Sequence, residues 1–103
     1  MGFFNKLFRK QYGQADGFNF KGVRSLTVEN NQVVLYAIGT EDIVLTKDKV
    51  ASVELVTSNM QVSNFVQTGI SIVNAYMVKM KDGSVGSIRI LAGEAYKMLA
   101  VLQ

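Results

Sequence analysis

Val23-Arg-Ser-Leu-Thr-Val-Glu-Asn-Asn-Gln-Val-Val-Leu-Tyr-Ala-Ile38 is the stretch that decides the fold class. On either side of Asn30-Asn31, apolar residues recur at period two, the signature of half-buried strands. Asparagine tolerates positive φ better than most residues with a Cβ, so Asn30-Asn31 suits a two-residue hairpin turn. That turn pairs Val28 with Val33 and Leu26 with Leu35, placing four apolar side chains on one face. Pattern and turn agree on a hairpin of Val23–Glu29 and Gln32–Ile38.

Downstream the same period continues. Gly39 ends the run, Glu41–Thr46 reads as a strand with Ile43 and Leu45 inward, and Lys47-Asp48-Lys49 is a polar turn. Val50–Thr57 offers Ala51, Val53 and Leu55 on one face against Ser52 and Glu54 on the other. Between 58 and 69 the phase breaks. Met60 and Val62 alternate, then Phe65 and Val66 fall out of step, which leaves a bulged strand and a loop as the two readings.

Ile70–Met80 and Ser84–Leu91 form a second hairpin, and register selects its turn. A two-residue Asp82-Gly83 turn would set Lys79 on the same face as Ile88 and Ile90. A three-residue Lys81-Asp82-Gly83 loop, with Gly83 left-handed as a bulge, pairs Met80 with Ser84 instead. Tyr76, Val78, Met80, Ile88 and Ile90 then share one face, with Lys79 and Arg89 on the other, so the three-residue loop is expected. Ala92–Leu102 closes the chain as a helix whose inward stripe is Ala92, Ala95, Tyr96, Leu99 and Leu102.

Upstream, residues 1–12 read as an arm. Phe3, Phe4, Leu7 and Phe8 fall within a 140° arc at 100° per residue, with Lys6, Arg9 and Lys10 opposite, predicting a short amphipathic helix. Gly13, Gly17 and Gly22 punctuate residues 13–22 as a Gly-rich linker, and Phe18 and Phe20 alternate inside it as a further short strand. The organisation is therefore arm 1–12, linker 13–22 and a β domain over 23–103.

Composition narrows the chemistry. With 103 residues, 49% of them apolar and 18% charged, the chain has the makings of one packed core and no length for a second. It contains no Cys, His, Trp or Pro, which removes thiolate and imidazole metal sites, disulfides and every Cys–His or Ser–His–Asp nucleophile. Glu41 and Asp42 are neighbours, but adjacent strand residues face opposite ways, and the remaining carboxylates are scattered. No catalytic residue, metal ligand or cofactor site is expected, and no small-molecule substrate.

The net charge of +3 belongs to the arm, because Lys6, Arg9 and Lys10 are unopposed there and the other residues carry eight charges of each sign. A nucleic-acid groove would need a basic stripe on the body, so nucleic acid is not an expected partner; a basic-armed nucleic-acid-binding barrel is the weakest alternative. The longest apolar run, Val33–Ile38, is far short of the ~20 residues a membrane span requires. Lys6 stands where an N-myristoylation motif needs Ser or Thr, and the arm has no continuous apolar segment of the secretory kind. A cytoplasmic protein is expected, peripheral at the inner membrane face on the lipid reading below.

Two stretches carry a resemblance. One is Glu41–Val56 with its Leu45–Lys49 turn; the other is Tyr76–Leu102, a long strand, Lys-Asp-Gly, a short strand and a helix. With the first hairpin, covering roughly residues 20–103, they resemble the small bacterial pleckstrin-homology-like and GRAM-like proteins. The resemblance implies a mainly β fold with helices at the termini: a bent antiparallel sandwich or partly open barrel of six or seven strands, capped by the C-terminal helix. It also implies a recognition module without chemistry, with self-assembly as one suspected role. Phosphoinositide-binding members carry a basic cluster over their first two strands. Here Lys21 and Arg24 are followed by a Gln32–Ile38 strand with no basic residue, which argues against inositol-phosphate binding.

Three surfaces are open to the arm. Phe3, Phe4, Lys6, Leu7, Phe8, Arg9 and Lys10 contact a protein partner or sister subunit, insert into an anionic membrane, or fold back on their own domain. Ser, Thr, Asn and Gln between 57 and 68 read either as a binding rim or as a solvated loop, and Val50–Val56 would accept another chain's strand if it lies at a sheet edge.

Overall fold

The computed structural model describes residues 13–16, 23–37, 41–63 and 69–103. Seven strands precede a helix: β1 (Gly13–Asp16), β2 (Val23–Glu29), β3 (Gln32–Ala37), β4 (Ile43–Leu45), β5 (Val50–Ser63), β6 (Ile70–Met80) and β7 (Val85–Leu91). A 3-10 turn, Ala92–Glu94, leads into α1 (Ala95–Leu102). All pairings are antiparallel, in a four-stranded sheet of order β1-β7-β6-β5 and a three-stranded sheet of order β2-β3-β4. The expected mainly β class holds; the sheets stay separate and do not close into a barrel. The amphipathic helix expected over 3–10 lies outside the described residues, as do Phe18 and Phe20.

Both hairpins form in the registers that their turns dictate. Asn30 and Asn31 have φ of 52° and 60°, so the turn is type I′, and Val28 faces Val33 while Leu26 faces Leu35. At the other hairpin the Met80 N–H donates to the Ser84 carbonyl (2.8 Å) and the Gly83 N–H to the Met80 carbonyl (3.0 Å). Gly83 sits at φ 95°, where a Cβ would be strained, so the three-residue loop with a left-handed glycine is the observed solution.

The core lies between the sheets. Leu26, Val33, Leu35 and Leu45 from the small sheet meet Val50, Tyr76, Val78, Ile88 and Ile90 from the large one, and Ala95, Met98 and Leu102 of α1 join them. Burying each large aliphatic side chain contributes about 1.5–3 kcal/mol, which makes this cluster the main stabilising term. Thr27, Val34 and Tyr36, on the opposite face of β2 and β3, are buried as well.

Four details differ from the sequence reading. Gly13–Asp16, expected within a linker, pairs with β7, with Gly13 opposite Ile90. A Cβ on Gly13 would sit 2.1 Å from the Arg89 carbonyl oxygen, so only glycine permits this approach. In β5 the register shifts between Val50 and Ser52, so Val50 is buried and Ala51 is exposed, reversing the expected inward Ala51. The C-terminal helix begins at Ala95 rather than Ala92, and this rotates its stripe to Ala95, Met98 and Leu102. Tyr96, expected inward, is 66% exposed, with the Lys97 ammonium 5.9 Å from the centre of its ring.

Candidate functional site

The residues expected to make the arm contact, Phe3, Phe4, Lys6, Leu7, Phe8, Arg9 and Lys10, lie outside the described residues. Within the described body the feature that adds nothing to the core cluster is the outer end of the β5–β6 hairpin. β5 runs for 14 residues and β6 for 11, whereas β7 accompanies β6 only from Val73 to Lys79. Met60–Ser63 and Ile70–Ser71–Ile72 therefore continue as a two-stranded ribbon past the end of the sheet.

The segment between 58 and 69 resolves in favour of the bulged strand as far as Ser63; residues 64–68 lie outside the description. Register shifts fall between Leu55 and Thr57 and between Thr57 and Met60. Asn59 takes φ 54°, and its N–H donates to the Asn74 side-chain oxygen (3.0 Å). The Asn74 amide nitrogen in turn donates to the Tyr76 hydroxyl (3.3 Å), so one asparagine ties the bulge to a core tyrosine. Beyond the bulge Met60–Ser63 pairs with Val73–Ile70 in unbroken register.

Burial and polarity on this hairpin are mismatched. Leu55 is 55% exposed, Val56 65%, Ile70 70% and Ile72 42%. Because side chains alternate along a strand, Ile70 and Ile72 share the face of β6 that carries Tyr76, and Leu55 stands opposite Tyr76 on β5. Outward from the core this face of β6 carries Tyr76, Asn74, Ile72 and Ile70, and the two isoleucines are exposed. Among the described residues the far side of β5 has no neighbouring strand in the sheet, so the segment Val50–Val56 lies at an edge of the described sheet. One outward carbonyl is engaged at the body end, where the Gln103 side-chain nitrogen donates to Val53 O at 3.3 Å.

A signal for this surface was available in the chain. From Leu55 to Val78, 24 consecutive residues carry no charge, in a protein with 19 charged residues. Period-two scanning missed Val56 because the register shifts of β5 scramble the phase there; Ile70, Ile72 and Asn74 fall in the expected Ile70–Met80 strand, and only the topology shows that Ile70 and Ile72 lie beyond the end of β7.

Asp48, Asp82 and Glu94 are held in local contacts. The Asp48 carboxylate accepts from the Thr46 hydroxyl, and that bond, with help from the backbone, holds its pKa below the ordinary 3.8. Asp82 accepts from the Ser84 hydroxyl (2.6 Å) and the Ser84 N–H (2.8 Å), and these lower its pKa likewise. Glu94 pairs with Lys97 at 2.6 Å, one helical turn apart. Among the described residues no three carboxylates converge as oxygen ligands would need to. Where the Lys47–Lys49 turn meets the end of α1, Thr46, Lys47, Val50, Lys81, Leu102 and Gln103 line an open depression of about 730 Å³. The Lys81 N–H donates to the Lys49 carbonyl across its rim at 3.0 Å.

Among the described residues no helix is long and apolar enough to cross a membrane. No protein-family model, curated protein or solved structure matches the chain.

Proposed function

We propose that the chain is a non-catalytic protein-interaction or assembly module of pleckstrin-homology-like build, acting in the cytoplasm as a homo-oligomer. The observation that carries the proposal is the uncharged β5–β6 hairpin, which holds large apolar side chains in solvent at a sheet edge. Isolated exposed apolar residues are ordinary; several large ones grouped on one uncharged hairpin beside a sheet edge support a surface that another chain completes. Seven antiparallel strands followed by one C-terminal helix are compatible with the pleckstrin-homology-like order. The tethered carboxylates of Asp48, Asp82 and Glu94 support a role without acid–base chemistry.

Phe3, Phe4, Leu7 and Phe8 supply a second apolar contact on a partner or sister subunit, flanked by Lys6, Arg9 and Lys10. The experiment substitutes Phe4→Asp and Leu7→Asp in the full chain and measures solution mass and flotation with anionic liposomes. Loss of assembly in a chain that never floated supports the proposal. Flotation that the substitutions abolish at unchanged mass replaces it with a lipid anchor, each basic residue then adding ~1 kcal/mol at the membrane surface. Salt-dependent binding of nucleic acid that survives the substitutions would overturn the reading of a neutral body.

A further inference from the structure

We infer that β5 pairs with β5 of a second copy of this chain, antiparallel about a two-fold axis, merging two four-stranded sheets into one continuous sheet. The inference rests on the assembly reading above and names its partner and its surface.

The edge is open and unguarded. Natural edge strands are blunted by lysine, proline or inward charge, and β5 carries Glu54 alone among its 14 residues and no proline. Its bulges interrupt the edge near the body, but Met60–Ser63 at the outer end is regular and can extend a ladder.

Charge favours a second copy and locates the axis. A two-fold sets each strand against itself, so any charge near the axis meets its own like. An axis near Glu54 would oppose two carboxylates. An axis through Met60–Ser63 keeps them roughly 50 Å apart along the strand at ~3.3 Å per residue, with only uncharged residues brought together. Pairing there also sets Ile70 and Ile72, which lie level with Ser63 and Gln61 on β6, on the same face as their counterparts in the second copy, three strand spacings away. Lipid is the poorer occupant, because a two-stranded ribbon with open edges would leave backbone N–H and C=O groups unsatisfied in hydrocarbon, whereas a partner strand satisfies them.

The test is the mass of the full chain by light scattering from about 1 μM to about 1 mM, a range that reports both tight and weak edge pairing. Gln61→Lys and Ser63→Lys each place a lysine on an exposed position of β5 within the paired segment; Val85→Lys, exposed on β7, is the control. The wild-type and control chains are expected to dimerise. The β5 variants should weaken the dimer by about 100-fold or more, since like charges then face each other across the axis, with melting temperature unchanged. Amides between Leu55 and Ser63 should exchange more slowly in the wild-type dimer than in Gln61→Lys. A dimer that survives both β5 lysines but is lost in the Phe4→Asp, Leu7→Asp chain overturns edge pairing and leaves the assembly reading standing on the arm. A wild-type chain monomeric throughout the range overturns the pairing outright.

Discussion

Gly13→Ala should be among the most damaging single-methyl additions in the protein, although Gly13 occupies a stretch that reads as linker. The added Cβ would lie 2.1 Å from the Arg89 carbonyl oxygen and 2.9 Å from the Ile90 Cα, both backbone atoms that cannot rotate aside. Ordinary contact begins at 3.4 Å, so β1 must retreat from β7 by more than an ångström. A ladder hydrogen bond of ~2.9 Å stretched that far no longer qualifies as one. Two routes bound the cost. Keeping β1 in place costs about 1–3 kcal/mol of overpacking. Releasing it forfeits ladder bonds worth ~0.5–1.5 kcal/mol each and uncovers part of Ile88 and Ile90, which are fully buried.

The cheaper route sets the cost, about 1–3 kcal/mol, a fall in melting temperature of about 4–24 °C in a domain this size. Gly93 is the internal control. A Cβ there meets nothing within 4 Å, so Gly93→Ala should stabilise by ~0.4–1 kcal/mol through the unfolded state. Gly83→Ala has space but must hold φ 95°, at a cost of ~1–2 kcal/mol. Thermal and urea unfolding of the three variants therefore predict the order Gly93→Ala above wild type, Gly83→Ala below it, and Gly13→Ala lowest. A Gly13→Ala chain melting beside the wild type would refute the close approach of β1 to β7.

The helix phase is testable in the same way: Met98→Ala should cost about 2–5 kcal/mol as a core truncation, and Tyr96→Ala within about 0.5, measured by urea midpoint. Asn74→Ala removes the acceptor of the Asn59 N–H, so exchange of that amide should accelerate while the body melts almost unchanged. Asp48 and Asp82 have folded-state pKa values below their unfolded ones, so their contribution is present above about pH 4 and is lost as pH falls through the folded values. Melting temperature should be flat down to that point and then drop, and Asp82→Asn should shallow the drop; an acid limb unchanged by that substitution would show that the Ser84 bonds do not hold in solution.

What could be read in the chain follows from how register is set. Asn30-Asn31 and Lys81-Asp82-Gly83 each admit one turn that buries the apolar face, so both hairpins were legible to the residue. β1 was not, because Gly-Gln-Ala-Asp has no apolar alternation and is placed by what its glycine permits. Ala51 and the 55–60 region failed for the opposite reason: a bulge adds a residue and inverts the pattern beyond it, so a correct alternation yields the wrong face. Tyr96 was misplaced because the 3-10 turn at 92–94 advances three residues per turn instead of 3.6, shifting the stripe that follows. The hairpin edge was half legible, as an apolar strand whose position only topology could supply.

The same topology lets the proposed interaction surface and a stable body coexist in so short a chain. The core is complete without the outer ribbon, since Met60–Ser63 and Ile70–Ile72 contribute nothing to the buried cluster. The joint is the Asn59 bulge, clamped through Asn74 to the Tyr76 hydroxyl, so the ribbon is oriented by the core although it does not stabilise it. Substitutions on the ribbon should therefore move association and leave unfolding alone, whereas substitutions at Asn74 should do the reverse of a core truncation: little change in stability, but a weaker and less specific contact. The body end of β5 carries Glu54 exposed at the sheet edge, which opposes intermolecular pairing beside the core, whereas the outer end beyond the joint carries no charge and leaves its edge open.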